Sequence, residues 1–180
     1  MKYRTIVADP PWTQPSGGPA SGPGFAVSGG RPSTLPYESM DVDAIAALPV
    51  RDLSAPQAHL YLWTTNAYIE HAYSIARIWG FRPSVLLTWC KQPRGIGLGG
   101  TFVQTTEHVL FARRGVCRAA TRIDTTWWQW NRREHSAKPE AFMDIVEQVS
   151  PAPRLEMFSR RQRLGWDTWG NEALNHVEIA

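Results

Sequence analysis

Thr5-Ile6-Val7-Ala8 is an apolar run without polar alternation, halted at once by Asp9-Pro10-Pro11. A strand apolar on both faces belongs in the middle of a sheet covered on both sides. Comparable runs recur at 58–63, 84–90, 107–112 and 154–158, with 167–171 as a further candidate strand. Helical patterns lie between them. Asp41 is placed to cap a short helix over 42–48, ended by Pro49. Residues 67–79 put Ile69, Ala72, Tyr73 and Ala76 on one face, with Gly80 as a stop. Pro139 opens a helix reaching Val149, whose apolar face is Phe142, Ile145, Val146 and Val149. Strands alternating with helices predict an α/β domain with a mainly parallel sheet.

Composition narrows the class. At 180 residues the chain is expected to be one domain, 1–180, and 43% hydrophobic with 19% charged residues is a globular balance. No apolar run has the length of a membrane span, and the start of the chain lacks a signal-peptide pattern. Cys90 and Cys117 make no disulfide framework, and neither they nor the five histidines have metal-ligand spacing, so no metal is expected and a cytoplasmic setting is the default. The Gly-rich run at 95–100 lacks the Gly-Lys-Ser/Thr ending of a phosphate loop and reads as a flexible loop. Residues 13–36, rich in Gly, Pro and Ser, and 116–137, rich in Arg and Trp and read as irregular, are candidate substrate loops.

The net charge is only +3, yet 16 of the 19 basic residues are Arg, and there are nine Trp. Arg pairs phosphates while Trp stacks on bases, which suits a nucleic-acid partner. A basic enzyme with Trp in its core has the same composition. The candidate strand-binding group is Arg113, Arg114, Arg118, Arg122, Arg132 and Arg133, interleaved with Trp127, Trp128 and Trp130.

Asp9-Pro10-Pro11-Trp12 carries the clearest chemistry. It follows a buried strand, and ligands of open α/β sheets bind beyond the carboxyl ends of strands. Asp9 offers a carboxylate acceptor, Pro10 a carbonyl acceptor and Trp12 an aromatic face. Those groups match an exocyclic amine on a flat heterocycle, with two N–H donors and a ring to stack. A structural turn, with Asp capping and Trp packing, is the alternative.

With that tetrapeptide the chain resembles the permuted, beta-class adenine-N6 methyltransferases, the family of the eukaryotic messenger-RNA N6-methyladenosine writer catalytic subunit and its bacterial and phage relatives. The resemblance continues through Leu35-Pro36-Tyr37-Glu38-Ser39-Met40, Leu60-Tyr61-Leu62-Trp63-Thr64-Thr65-Asn66, Glu107-His108 and His135-Ser136-Ala137-Lys138-Pro139. It ends with Leu155-Glu156-Met157-Phe158-Ser159-Arg160, Gly165-Trp166 and Trp169-Gly170-Asn171-Glu172.

The resemblance implies a circularly permuted, Rossmann-like fold, its mainly parallel sheet carrying helices on both faces, that uses S-adenosylmethionine and releases S-adenosylhomocysteine. It implies that Asp9, Pro10, Pro11 and Trp12 hold the target amine, with Asp9 also near the cofactor's ammonium. Lys138 would meet the methionine carboxylate; Glu156, Phe158 and Arg160 would form the cofactor strand and turn; Asn171 and Glu172 would reach its ribose and adenine. Tyr37 and Glu107 would line the base pocket, with Arg132 and Arg133 on the strand. Trp63 reads as packing. The family's longer members carry a segment before the tetrapeptide strand, whereas here the sequence begins eight residues before Asp9. DNA is the favoured substrate. RNA methylation, or a catalytically inactive nucleic-acid-binding partner subunit, are the alternatives, and a homodimer is compatible with each.

Overall fold

The first apolar run becomes β1 (Tyr3–Ala8), which sits inside a seven-stranded sheet. The computed structural model describes residues 1–13, 39–92, 101–133, 137–159 and 161–170. Most of the first candidate loop, Tyr37, the Gly-rich run, Arg160, Asn171 and Glu172 fall outside the described residues.

After β1 come α1 (Val42–Ala46), α2 (Val50–Leu53), β2 (Ser54–Thr64), a 3-10 turn at Asn66–Tyr68 and α3 (Ile69–Ile78). Then follow β3 (Arg82–Gln92), β4 (Thr106–Arg114), β5 (Trp127–Asn131), α4 (Glu140–Val149), β6 (Arg154–Met157) and β7 (Asp167–Trp169). The sheet order is β5-β3-β4-β2-β1-β6-β7. Every neighbouring pair is parallel except β2–β4 and β3–β4. Among the described strands only β4 is reversed, so the sheet is mainly parallel, as expected.

Strand alternation sorts the side chains into two cores. Ile6, Leu60, Leu62, Leu110, Leu155 and Met157 face one side, where α3 adds Ala72, Ile75 and Ala76. Val7, Tyr61, Trp63, Val109 and Phe111 face the other, where α4 adds Phe142, Met143 and Val146. Both faces of the central strands are therefore covered, which is why they read as continuous apolar runs. Among the described residues, no helix is long and apolar enough to cross a membrane.

Two expectations need correction. Residues 116–137 are not irregular throughout, because β5 pairs with β3 inside them. Trp127, Trp128 and Trp130 favour a pleated surface, and Trp128 and Trp130, two apart, stack on one face with centroids 5.4 Å apart. Pro49 does not simply end α1; it also opens α2, since Pro tolerates a first helical turn.

Candidate active site

Because six strands run one way and β4 runs the other, the ends of β1, β2, β3, β5 and β6 and the start of β4 share one edge of the sheet. Asp9, Lys91, Glu107, Arg132, Lys138 and Glu156 therefore come from distant segments to one rim. The turn that carries Asp9 begins where Pro10 and Pro11, lacking N–H groups, end the β1 ladder. The Trp12 N–H donates to the Pro10 carbonyl at 2.8 Å and the Met40 N–H to that of Pro11 at 2.9 Å. The Pro10 carbonyl is thus already engaged within the turn, and it keeps a second lone pair for another donor.

Trp12 departs from expectation. Its ring is 5% exposed and stacks on Tyr68 at 5.0 Å, so the face expected to meet a base is covered. The indole N–H donates to the Trp63 carbonyl at 3.0 Å. Trp12 acts here as an anchor for the tetrapeptide, because a large buried ring must satisfy its one polar atom.

Four charged side chains alternate across the rim. Lys138 Nζ donates to Asp9 Oδ2 at 2.7 Å and lies 3.5 Å from Glu107 Oε2, while Lys91 donates to Glu107 Oε1. Burial pushes the Glu107 carboxyl up, but Lys138 and Lys91 outweigh it and hold the group below the usual carboxylate range. Burial likewise works against the Lys138 ammonium, and Asp9 and Glu107 reverse it, so its pKa is raised. Lys138 Nζ also lies 5.2 Å over the Trp63 ring.

Beside this row opens a pocket of about 390 Å³, lined among others by Asp9, Trp63, Lys138, Glu156 and Phe158. That volume is within the range of small-molecule sites, roughly 300–1,000 Å³. Glu156 lies between Leu155 and Met157 in β6, so alternation turns it from their core toward α4 and the pocket. Burial, with the charges of Asp9 and Glu140 adding, pushes its carboxyl up to about 7, against a hydrogen bond with Ser159 and the charge of Arg163.

Phe158 has φ 64°, an unusual value for a bulky residue, and turns the chain sharply into the pocket wall. Its ring meets Trp169 edge-on at 5.0 Å. Gly170 permits this close turn, since a Cβ there would lie 2.5 Å from the Ser159 carbonyl oxygen. The wall is tied to α4 by Arg163, which bonds Glu147 at 2.6 Å and Asp144 at 2.5 Å, and by the Trp166 N–H to Glu147 at 2.7 Å.

The expected strand-binding arginines do not form one surface. Arg132 and Arg133 follow β5 on the rim of the site, whereas Arg113 and Arg114 end the reversed β4 at the opposite edge. Arg114 donates to the carbonyls of Arg51 at 2.6 Å and Ser54 at 3.2 Å, capping α2. Arg122 pairs with Asp124 in the open. Arg133 bonds Glu140 at 2.7 Å and the Lys138 carbonyl at 3.1 Å, bracing the segment that carries Lys138.

Sequence reasoning passed over Trp63 and Lys91 as site residues. For Lys91 a signal existed: it is one of three lysines in an arginine-rich chain and follows the strand expected over 84–90. Trp63 carried only the pattern of a packed strand end, and its position over the pocket depends on the sheet order. Among the described residues no cluster of His, Cys, Asp and Glu could hold a metal ion. The Asp9 carboxylate, the Lys138 ammonium just before α4 and the Glu156 carboxyl on the pocket wall can meet an ammonium, a carboxylate and hydroxyl groups of a bound molecule.

The MT-A70 family model matches residues 3–172. The chain is 29% identical to the Type II methyltransferase M.MunI of a Mycoplasma species, covering 99% of this chain and 81% of that protein. It is 28% identical to the probable N(6)-adenosine-methyltransferase MT-A70-like of Oryza sativa subsp. japonica, over 99% of this chain but 24% of the plant protein. It is 26% identical to the N6-methyladenosine RNA methyltransferase MTA1 of Pyricularia oryzae, over 98% of this chain and 48% of the fungal one. A match over nearly the whole chain, running from the strand before Asp9 past the pocket wall, is more than a shared tetrapeptide: the chain belongs to the MT-A70 family of adenine-N6 methyltransferases.

Proposed function

We propose that the chain transfers a methyl group from S-adenosylmethionine to the N6 amine of adenine in DNA. One observation carries the chemistry: Asp9, just past the end of β1, and Glu156, paired with Val7 in the neighbouring β6, line one pocket together with Lys138. The preference for DNA is supported by the likeness to M.MunI, four-fifths of whose length this chain covers. RNA is the second reading, supported by the likeness to the fungal MTA1.

When bound, the cofactor supplies an electrophilic methyl group on a sulfonium. The amine of adenine is a poor nucleophile because its lone pair is delocalised into the ring. Asp9 accepts a hydrogen bond from one amine N–H and the second lone pair of the Pro10 carbonyl one from the other, which favours a more tetrahedral nitrogen with an available pair; the methylated nitrogen, cationic as its new N–C bond replaces the methyl–sulfur bond, then loses one proton to solvent. Aspartate is a weak base, so Asp9 acts by orientation and by stabilising the positive charge that grows on nitrogen. The base must leave the duplex, or come from a single strand, to reach the turn.

Lys138 holds the carboxylate of the methionine moiety, Glu156 the ribose diol, and Phe158 shapes the turn that follows Glu156. Arg160, Asn171 and Glu172 complete the cofactor side. Tyr37 and Glu107 are the proposed contacts of the target base, and Arg132 and Arg133 those of the phosphates.

The deciding experiment supplies labelled cofactor with duplex DNA, single-stranded DNA and RNA in parallel, with chelator present, followed by nucleoside digestion. N6-methyladenine in DNA is expected. Methylcytosine as main product overturns the target, and preferential methylation of RNA overturns the substrate. Cofactor binding without transfer to any nucleic acid returns the chain to an inactive partner.

A further inference from the structure

Lys91 is outside the pocket lining, yet it ends the row of charges that leads into it. It follows Trp89 by two residues in β3 and therefore shares its face, with Nζ 5.3 Å over the Trp89 ring. Trp89 pairs with Glu107 across the β3–β4 ladder, so Lys91 is the diagonal neighbour of Glu107, within reach of a long side chain.

The two oxygens of Glu107 have different partners. Oε1 accepts from Lys91, while Oε2 stands 3.5 Å from Lys138, longer than the 2.7 Å that Lys138 keeps to Asp9. Three of the four groups are poorly exposed, with side-chain exposures of 20% for Lys91, 17% for Glu107 and 20% for Lys138. A poorly solvated carboxylate pulls hard on the nearest cation unless another cation satisfies it. Lys91 supplies that second cation. Without it, Glu107 would draw Lys138 away from Asp9 and from the pocket.

We propose that Lys91 is a positioning residue which, through Glu107, sets the position of the Lys138 ammonium and hence the affinity for the anionic end of a ligand in the pocket. The inference rests on the proposed cofactor site but not on the identity of the methyl acceptor.

Calorimetry with two thioether nucleosides tests it. S-Adenosylhomocysteine carries the carboxylate and 5′-methylthioadenosine lacks it. Lys91→Gln weakens S-adenosylhomocysteine by roughly fivefold or more, the coupling of residues in one ion-pair network, and leaves methylthioadenosine within about twofold. Lys91→Arg restores the loss. In a Lys138→Gln background, Lys91→Gln changes neither ligand, because its route to the pocket is gone. Equal losses for both ligands, or the same loss in both backgrounds, overturn the proposal.

Should Lys91→Gln fail to fold by circular dichroism, Glu107→Gln reads the same link. Removing the competing charge should strengthen S-adenosylhomocysteine relative to methylthioadenosine, and a relative weakening overturns the proposal. A wild-type chain that binds both nucleosides but methylates no adenine sinks the proposed reaction while leaving this result intact.

Discussion

The indole N–H of Trp12 donates to the backbone carbonyl of Trp63 at 3.0 Å, tying the turn after β1 to the end of β2. The Trp63 ring in turn lies beneath the Lys138 ammonium, 5.2 Å from it. One hydrogen bond thus links the backbone that presents Asp9 to the surface on which Lys138 rests. Trp12→Phe keeps a ring against Tyr68 but strands a buried carbonyl, so stability should drop by roughly 1–3 kcal/mol in urea unfolding. Single-turnover methylation should drop in the folded fraction too. Full transfer with lowered stability would reduce Trp12 to packing.

Asp9 and Lys138 touch but should fail differently. Asp9→Ala removes an acceptor that matters most as the amine nitrogen becomes positive, and single-turnover transfer at saturating cofactor should fall by about 10²–10³. Lys138→Ala loses a charge-assisted contact, roughly 1.5–3 kcal/mol or about 10–150-fold in cofactor affinity, with much of the rate recovered at high cofactor. Cofactor titration beside single-turnover rates separates the two.

Glu156, its carboxyl pushed up to about 7, changes charge near neutrality. A carboxylate accepts both hydroxyls of a ribose diol, whereas the protonated form has lost part of that capacity. Cofactor affinity should therefore rise between about pH 6 and pH 8, by about tenfold at most for one group. Glu156→Gln should bind weakly and flatten that rise. An unchanged pH profile in Glu156→Gln would remove it from the diol.

Acid stability has a separate source, far from the pocket. His59 Nε2 donates to the Cys117 carbonyl at 3.0 Å, so Nδ1 accepts from the Ser150 hydroxyl at 2.8 Å, and Tyr61 donates to Ser150 at 2.7 Å. Burial holds the His59 pKa below its ordinary 6.5, aided by Arg113 and Arg4 and opposed by the Cys117 hydrogen bond. The unfolded chain thus takes up the proton first. Stability from this group is complete above about pH 6.5 and is lost as pH falls toward the folded pKa. Glu156, raised rather than lowered, works in the opposite sense over part of that window. The measurement is therefore a difference: urea midpoints should fall less from pH 7.5 to about pH 5 in His59→Gln than in wild type. Parallel curves would count against the buried neutral imidazole.

The two groups of arginines should separate in binding assays. Arg132→Ala, on the rim, should reduce the salt slope of DNA binding by roughly 0.7–0.9, one phosphate contact. Arg114→Ala should lower stability through loss of the α2 cap and leave the salt slope alone. Equal slopes for wild type and Arg132→Ala would take the rim arginine out of the strand path.

Local signals carried much of this. A strand that is buried on both faces must be apolar along its length, so β1, β2 and β4 were legible as runs, and α3 and α4 as periodic faces. Asp9-Pro10-Pro11-Trp12 was legible because a turn at a strand end is written in adjacent residues, and the family likeness starts from it. β5 was missed because three tryptophans among arginines resemble a binding loop as much as a strand.

Tertiary structure alone decided what those residues touch. Lys138 and Asp9 are 129 residues apart, and their contact depends on β6 pairing with β1 and on where α4 begins. Lys91 reaches Glu107 because β4 runs antiparallel beside β3, and the same reversal carries Arg113 and Arg114 to the far edge. Burial of the Trp12 ring against Tyr68 follows from how the turn docks on the end of β2. Hydrophobic period records which face of a strand is inside; it does not record strand order, direction or register, and those three place the charges.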